Sequence, residues 1–218
     1  MKRVVRFALA LVLVCAVWGG VARAEAPRLV CLVSALTGQV RMSPADGPKK
    51  PVELFTRLRE GERLDLPQGS TVQLAFLQKG VRETWTGPAT VIITADGGQS
   101  PDAGGLPVTD KLPTKARPAG VGSSILSQGG EQATAQVMTR DVVLPEDKPL
   151  SDEDKAKLAD VEQAVAQMRQ TAAPGDVTPD IVLLEELTRL EQRRQAGELL
   201  ERLRAAHPDN AALAHWGE

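Results

Sequence analysis

The fold of this chain is constrained most by a series of short apolar segments between residues 28 and 95. One is an apolar run from Leu29 to Leu36, interrupted only by Ser34, and another, at residues 71–78, alternates apolar and polar residues with the period of two of a β-strand. Turn-forming residues separate the segments at intervals of roughly 8–12 residues, which is typical of small β-sandwiches. The pattern predicts six or seven strands over residues 28–95, in an all-β small sandwich or roll.

A stretch rich in glycine and proline follows the predicted β domain. Residues 96–130 contain eight glycines and four prolines in 35 positions, a share that is typical of low-complexity sequence. We therefore predict a flexible linker over residues 96–150. Residues 131–144 include short β-branched runs, and whether they add an edge strand to the β domain stays open.

Residues 151–216 have the periodicity of helices. Ser151 is an N-cap candidate, acidic residues follow it, and an apolar stripe then continues at spacings of three and four. Pro174-Gly175 ends this first helix, and Thr178-Pro179 begins the next with threonine as its cap. The sequence thus predicts a C-terminal helical hairpin or three-helix segment that is separate from the β domain.

The organisation of residues 180–206 has two interpretations, one continuous helix or a hairpin. A glycine in mid-helix is less favourable than alanine by about 1 kcal/mol. Because Gly197 would lie in the middle of a single helix, the hairpin is favoured, with its turn near residues 195–197.

The first 24 residues have the three parts of a secretory signal peptide. Cations are concentrated at residues 2–6, an apolar stretch runs from Phe7 to Ala22, and Ala22-Arg23-Ala24 is a cleavage site of the small-x-small kind. The 16 residues of the apolar stretch are fewer than the roughly 20 that span a bilayer. We predict cleavage after Ala24, a periplasmic or secreted bacterial protein, and no transmembrane span after cleavage. A retained membrane anchor and a lipid-modified Cys15 are the alternatives.

Cleavage would leave Cys31 as the single cysteine of the mature chain, which excludes an internal disulfide. Cys31 lies in an apolar run and is predicted to be a buried thiol, with intermolecular pairing as the alternative.

Glycines and alternating apolar residues recur through the predicted β domain in a recognisable order. They are Gly38-Gln-Val40, Leu58-Arg-Glu-Gly-Glu-Arg-Leu64, Gly69-Ser-Thr-Val-Gln-Leu-Ala-Phe76, Gly80 and Gly87-Pro-Ala89. In this pattern residues 30–95 resemble a FecR-type domain, a β-rich envelope module named after a periplasmic iron-sensing regulator. FecR regulators have a cytoplasmic segment and a membrane span before this domain, and that segment contacts a sigma factor. Here the predicted signal peptide stands in that place, so the resemblance does not extend to sigma-factor binding.

Residues 180–210 have a second resemblance, which depends on their leucines, on Ala196 and on Pro208-Asp-Asn210. They resemble a single tetratricopeptide-type helical pair. Ala196 stands where the repeat has a small residue at the helix crossing. Glu191 stands where the repeat usually has a glycine. A generic amphipathic hairpin or a coiled-coil segment is the alternative.

No motif of catalysis, metal binding or cofactor binding is present in the sequence. The two histidines, His207 and His215, lie near the C-terminus, and zinc-protease, nucleophile-elbow and phosphate-loop patterns are missing. We therefore predict a protein that is not an enzyme and has no catalytic residues, cofactor or metal.

Charge is unevenly distributed along the chain. Residues 28–95 have nine cations and six acids (net +3), whereas residues 151–218 have eight cations and fourteen acids (net −6). The basic residues of the β domain indicate an anionic partner, with a solvated surface as the alternative. Nucleic acid is not expected, because no stacking aromatic residues accompany the cations. The residues that are candidates for binding such an anionic partner are Arg57, Arg59, Arg63, Lys79 and Arg82.

A hydrophobic groove on the helical pair is a second candidate site for a partner, with core packing as the alternative fate of its side chains. It would be formed by Leu183, Leu187, Leu200 and Leu203.

We interpret the chain as an exported, non-enzymatic envelope protein that acts as a binding or scaffold module. On this hypothesis the β domain holds an envelope protein or a cell-wall polymer, and the helical pair docks a second protein. The alternative is an accessory component of an envelope signal-sensing relay of the FecR type, without its own sigma-factor-binding segment.

The exported protein is expected to begin at Glu25, because the signal peptide is predicted to be removed after Ala24. Intact-mass spectrometry of the protein recovered from the periplasm or the medium measures this directly. A mass that retains Met1 contradicts the predicted cleavage.

Overall fold

Short strands followed by helices make up the described part of the chain. The computed structural model describes residues 28–44, 47–101, 105–113, 147–214 and 216. The strands are β1 (Leu29–Thr37), β2 (Arg41–Ser43), β3 (Lys50–Pro51), β4 (Arg57–Arg59), β5 (Arg63–Leu66), β6 (Thr71–Phe76), β7 (Val81–Thr86), β8 (Ala89–Thr94), β9 (Gly97–Gln99) and β10 (Val108–Lys111). The helices are α1 (Asp152–Thr171), α2 (Thr178–Arg189), α3 (Arg193–Ala206) and the short α4 (Ala211–Ala214).

The strands form two antiparallel sheets that pack face to face. Sheet A has the order β10-β7-β6-β1-β4, and sheet B has the order β3-β2-β5-β8-β9. Alternate residues of the strands fill the core between the sheets, as the period of two in the sequence predicts. The buried side chains of this core are Cys31, Val33, Val40, Val52, Leu58, Leu64, Leu66, Val72, Leu74, Phe76, Trp85, Val91 and Ile93. The β-sandwich that the sequence predicts is therefore present.

The central strands β1 and β6 of sheet A are also buried on their outer face, which the helices cover, whereas the edge strand β10 is exposed. On β1, Cys31 and Val33 belong to the core between the sheets, whereas Leu32 between them packs in a second core with the helices. Ala75 of β6 and Leu77 just after it belong to the same second core. The described residues are therefore arranged in three layers, which are sheet B, sheet A and the helices.

The predicted fold class, an all-β domain followed by a linker and a separate helical segment, is wrong in its separation of the two parts. The helices share a hydrophobic core with sheet A. Hydrogen bonds also join the two layers. The Val177 N–H donates to the Ser34 carbonyl at 2.9 Å, and Asn210 Nδ2 donates to the Leu54 carbonyl at 2.9 Å. The physical reason is that sheet A exposes a second apolar face, which must be covered.

Two strands, β9 and β10, lie within the range that was expected to be a linker, so the β region extends to Lys111. The proposed edge strand at residues 131–144 lies outside the described residues, and so does the predicted signal peptide at residues 1–24. None of the described helices is long and apolar enough to cross a membrane.

The sequence predicts the helices themselves with small displacements. Ser151 is the N-cap of α1, since its hydroxyl accepts a hydrogen bond from the Asp154 N–H at 3.1 Å. The expected apolar stripe of α1 is buried from Leu158 to Met168. At the start of α2, Val177 is the cap and Thr178 is the first helical residue, one position earlier than predicted.

Residues 180–206 form a hairpin, as expected, but its turn lies at residues 190–192 rather than near 195–197, and Gly197 lies within α3. Glu191 in this turn has a φ of 55°, in the left-handed region. A residue other than glycine there is destabilised by about 1–2 kcal/mol, so a conformation that favours glycine is held by a glutamate.

Phe55 connects sheet A to the end of the helical layer. Its side chain is completely buried, and its ring makes edge contacts with His207 and Trp216, with 5.5 Å between ring centroids in each case. Its backbone has a φ of 65°, which aromatic residues rarely adopt. The packing of the ring therefore compensates for an unfavourable backbone conformation.

Replacing Glu191 by glycine is expected to stabilise the protein by about 1 kcal/mol relative to Glu191→Ala, because only glycine adopts the positive φ without strain. The alanine variant is the matched control, since both variants lose the exposed ion pair between Glu191 and Lys148. Equilibrium urea unfolding measures both free energies. Equal stability of the two variants contradicts the strain at this turn.

Candidate functional site

The five cations selected from the sequence do not form one patch. Arg57 and Arg59 lie on β4, which is one edge of sheet A, and Arg82 lies on β7, separated from β4 by β1 and β6. Arg63 lies on β5, in sheet B, and Lys79 lies in the 3₁₀ turn before β7. Each of these side chains therefore has its own surroundings.

Arg82 binds the helical layer. Its Nη1 lies 2.6 Å from Asp176 Oδ2, and its Nη2 lies 3.3 Å from Asp110 Oδ2. The Asp176 side chain is completely buried, and it also accepts a hydrogen bond from the Thr178 N–H at the start of α2, at 2.9 Å. This carboxylate thus joins sheet A to the loop between α1 and α2.

A short chain of hydrogen bonds between sheet A and α2 lies in the same buried interface. The side-chain amide of Gln73 donates to the Ser34 hydroxyl at 2.9 Å and to the Thr178 hydroxyl at 3.3 Å. All three residues are buried. Polar groups in a buried interface stabilise it only when they are paired, so these residues fix the position of α2 on the sheet.

Arg57 also faces the helical layer. Its guanidinium lies 5.0 Å from the centre of the Trp216 ring, a cation–π distance. Burial lowers the pKa of Arg57 from its ordinary value, and the negative charge of Glu185 opposes this shift. Because Glu185 is a buried residue of α2, Arg57 is a further link between sheet A and the helices.

Lys79, Arg59 and Arg63 lie outside this interface. Lys79 forms an ion pair with the exposed Asp96, and the hydrogen bond and charge of the lysine lower the pKa of that carboxyl. Arg59 is half-buried at the edge of sheet A, and Arg63 is exposed on sheet B.

The leucines of the expected groove pack mainly inside this chain. Leu187, Leu200 and Leu203 are buried in the core that the helices share with sheet A, and Leu183 is partly buried against it. Their side chains therefore contact this chain's own helices and do not line an open groove.

Cys31 lies at the centre of the sandwich. Burial raises the pKa of its thiol well above the ordinary value, and the negative charges of Glu83 and then Glu62 raise it further. The thiol therefore stays protonated, which is unfavourable for a nucleophile. Glu83 itself is buried, and its Oε2 accepts hydrogen bonds from the Trp85 indole at 3.0 Å and the Gly98 N–H at 2.9 Å.

Within the described ranges, no group of three or more histidine, cysteine, aspartate or glutamate side chains is arranged to hold a metal ion. His215 lies outside them.

The outer face of sheet B carries cations that the sequence analysis did not select. The leucines of β5 face the core, so Arg63 and Asp65 point outward. Arg41 of β2 pairs with Asp65 across the strands, and Lys49 Nζ lies 2.7 Å from Asp65 Oδ2. The sequence did contain a signal that Arg41 points outward. Its neighbours Val40 and Met42 are both apolar and both face the core, so the side chain between them faces solvent.

Two adjoining depressions on sheet B meet at these residues. One has a cavity volume of about 390 Å³ and the other about 570 Å³, and Arg41 and Lys49 line both. This surface, lined by Arg41, Lys49 and their neighbours, is the candidate site, and we call it the basic groove.

Comparisons with protein-family models, with curated proteins and with solved structures found no match to this chain. The resemblances to FecR-type domains and to tetratricopeptide pairs therefore stay predictions.

Replacing Asp176 by alanine is expected to destabilise the protein by about 2–4 kcal/mol, because it leaves Arg82 without its buried partner and removes an acceptor at the start of α2. Asp110→Ala removes only the longer and half-exposed contact of the same arginine, so its expected effect is about 0–1 kcal/mol. Urea unfolding measures both, and similar effects would contradict the role of Asp176 between the layers.

Proposed function

We propose that the protein is an exported, non-enzymatic binding protein of the bacterial cell envelope, and that it holds its partner on the outer face of sheet B. The single observation that carries the proposal is the burial of the central strands of sheet A on both faces. Since the protein's own helices cover the outer face of β1 and β6, we take the outer face of sheet B, whose central strands are open among the described residues, as the surface for a partner.

The side chains of that surface support this assignment. Within the described part of the chain, its outward-facing residues are exposed or half-buried, and none belongs to either hydrophobic core. They include Arg41, Arg63, Asp65, Thr90 and Ile92. A mixed polar and basic surface of this kind is suited to reversible association.

The envelope location rests on the sequence. A signal peptide at residues 1–24 directs export, and the FecR-type resemblance of residues 30–95 implies an envelope module. The partner on this proposal is an envelope protein or a cell-wall polymer, held without chemical change.

Photo-crosslinking in cells tests the proposal. A benzophenone amino acid at Thr90 is expected to give an adduct with an envelope component, because Thr90 lines the basic groove. The matched position is Gln163, exposed on α1 in the opposite layer. Adducts at Gln163 but not at Thr90, or equal adducts at both, contradict the assignment of the binding face.

A further inference from the structure

Two cations at the centre of the basic groove indicate the chemistry of its ligand. Arg41 and Lys49 line both depressions, so a molecule lying along the groove passes both side chains. The remaining lining residues are mostly small or apolar, and they include Pro51, Pro67 and Pro88.

Arg41 differs from the arginines that face the helices. Arg57 and Arg82 are occupied within the protein, by Trp216 and by Asp176 respectively. The side chain of Arg41 is exposed and has no hydrogen-bond or ion-pair partner among the described residues. Its five guanidinium donors are therefore available to a ligand.

Lys49 contacts a carboxylate of this chain, Asp65, within the groove. The two side chains are 61% and 32% exposed, and the lysine nitrogen contacts the carboxylate at 2.7 Å. Asp65 is also the cross-strand neighbour of Arg41. Arg41 and Lys49 thus have only the one carboxylate of Asp65 beside them. The remaining positive charge favours a second carboxylate, from a ligand.

The burial of the aromatic residues argues against nucleic acid as the ligand of the groove. Phe55, Phe76, Trp85 and Trp216, the aromatic residues of the described chain, are all at most 4% exposed. The described surface therefore has no ring on which nucleic-acid bases can stack. The groove also lacks the exposed apolar anchors of a membrane-binding surface. The large apolar side chains that are exposed in the described chain are Leu106, just before β10, and Val108, in β10, and this strand is an edge of the other sheet.

The edge of sheet B determines how a peptide would lie. The edge strand β3 has two residues, and Pro51 has no N–H to donate to an added strand. A peptide therefore binds across the face through its side chains and does not extend the sheet.

We propose that the basic groove binds an acidic peptide segment of a partner protein, with Arg41 and Lys49 contacting its carboxylates. The inference rests on the proposed function and adds the chemical class of the partner. Arginine binds a carboxylate through two parallel hydrogen bonds, and lysine adds a point charge.

The test uses fluorescence anisotropy of the exported protein with a fluorescein-labelled deca-glutamate peptide at low salt. The double variant Arg41→Gln/Lys49→Gln is expected to weaken binding about tenfold or more, because it removes two charge-assisted contacts. The matched control is Lys111→Gln/Arg202→Gln, which removes the same charge from two exposed positions outside the groove. Its binding is expected to change less than about twofold.

Three results overturn the inference: no binding of deca-glutamate, equal weakening by both double variants, or tighter binding of inorganic polyphosphate than of deca-glutamate. Any of these with crosslinking at Thr90 intact refutes the acidic peptide and leaves the proposed function standing. Binding of deca-glutamate that depends on Arg41 and Lys49, without crosslinking at Thr90 in cells, supports the groove chemistry and contradicts the envelope partner.

Discussion

The burial of the central strands of sheet A on both faces is the constraint on which the rest of the structure depends. It requires a second layer of apolar side chains, which α1, α2 and α3 supply. It also explains why arginines in the middle of a β domain have carboxylate and aromatic partners more than 90 residues away, as in the contact of Arg82 with Asp176. If the outer face of sheet A were polar and solvated, as in many antiparallel sandwiches, the protein would need none of these contacts.

The local elements could be predicted from the sequence, because strands and helices depend on the spacing of neighbouring residues. Their association could not, since it depends on pairs that are 105 residues apart, as for Gln73 and Thr178, or 156 residues apart, as for Asn210 and Leu54. One signal was present: the run from Leu29 to Leu36 is apolar at every position except Ser34, which is typical of a strand covered on both faces. The turn at Glu191 had no signal in its own residue type, because a glutamate occupies a position that favours glycine, and only the tetratricopeptide resemblance has a glycine there.

The candidate site shows the limits of counting charges. Arg57 and Arg82 alternate with residues of the sandwich core, as Arg41 and Arg63 also do, so the sequence pattern alone does not distinguish them. Only the arrangement of the layers decides which cations point to the helices and which to solvent. The desolvated arginines stabilise the contact between layers, and the exposed ones are available for recognition.

The contact of Phe55 with Trp216 has a consequence for synthesis of the protein. A ribosome releases the strands first, and domains generally fold in the order in which they emerge. The ring of Phe55 packs against His207 and Trp216, so the strands have this apolar side chain uncovered until residues more than 150 positions later have been made. An intermediate with such an uncovered apolar face is prone to aggregate.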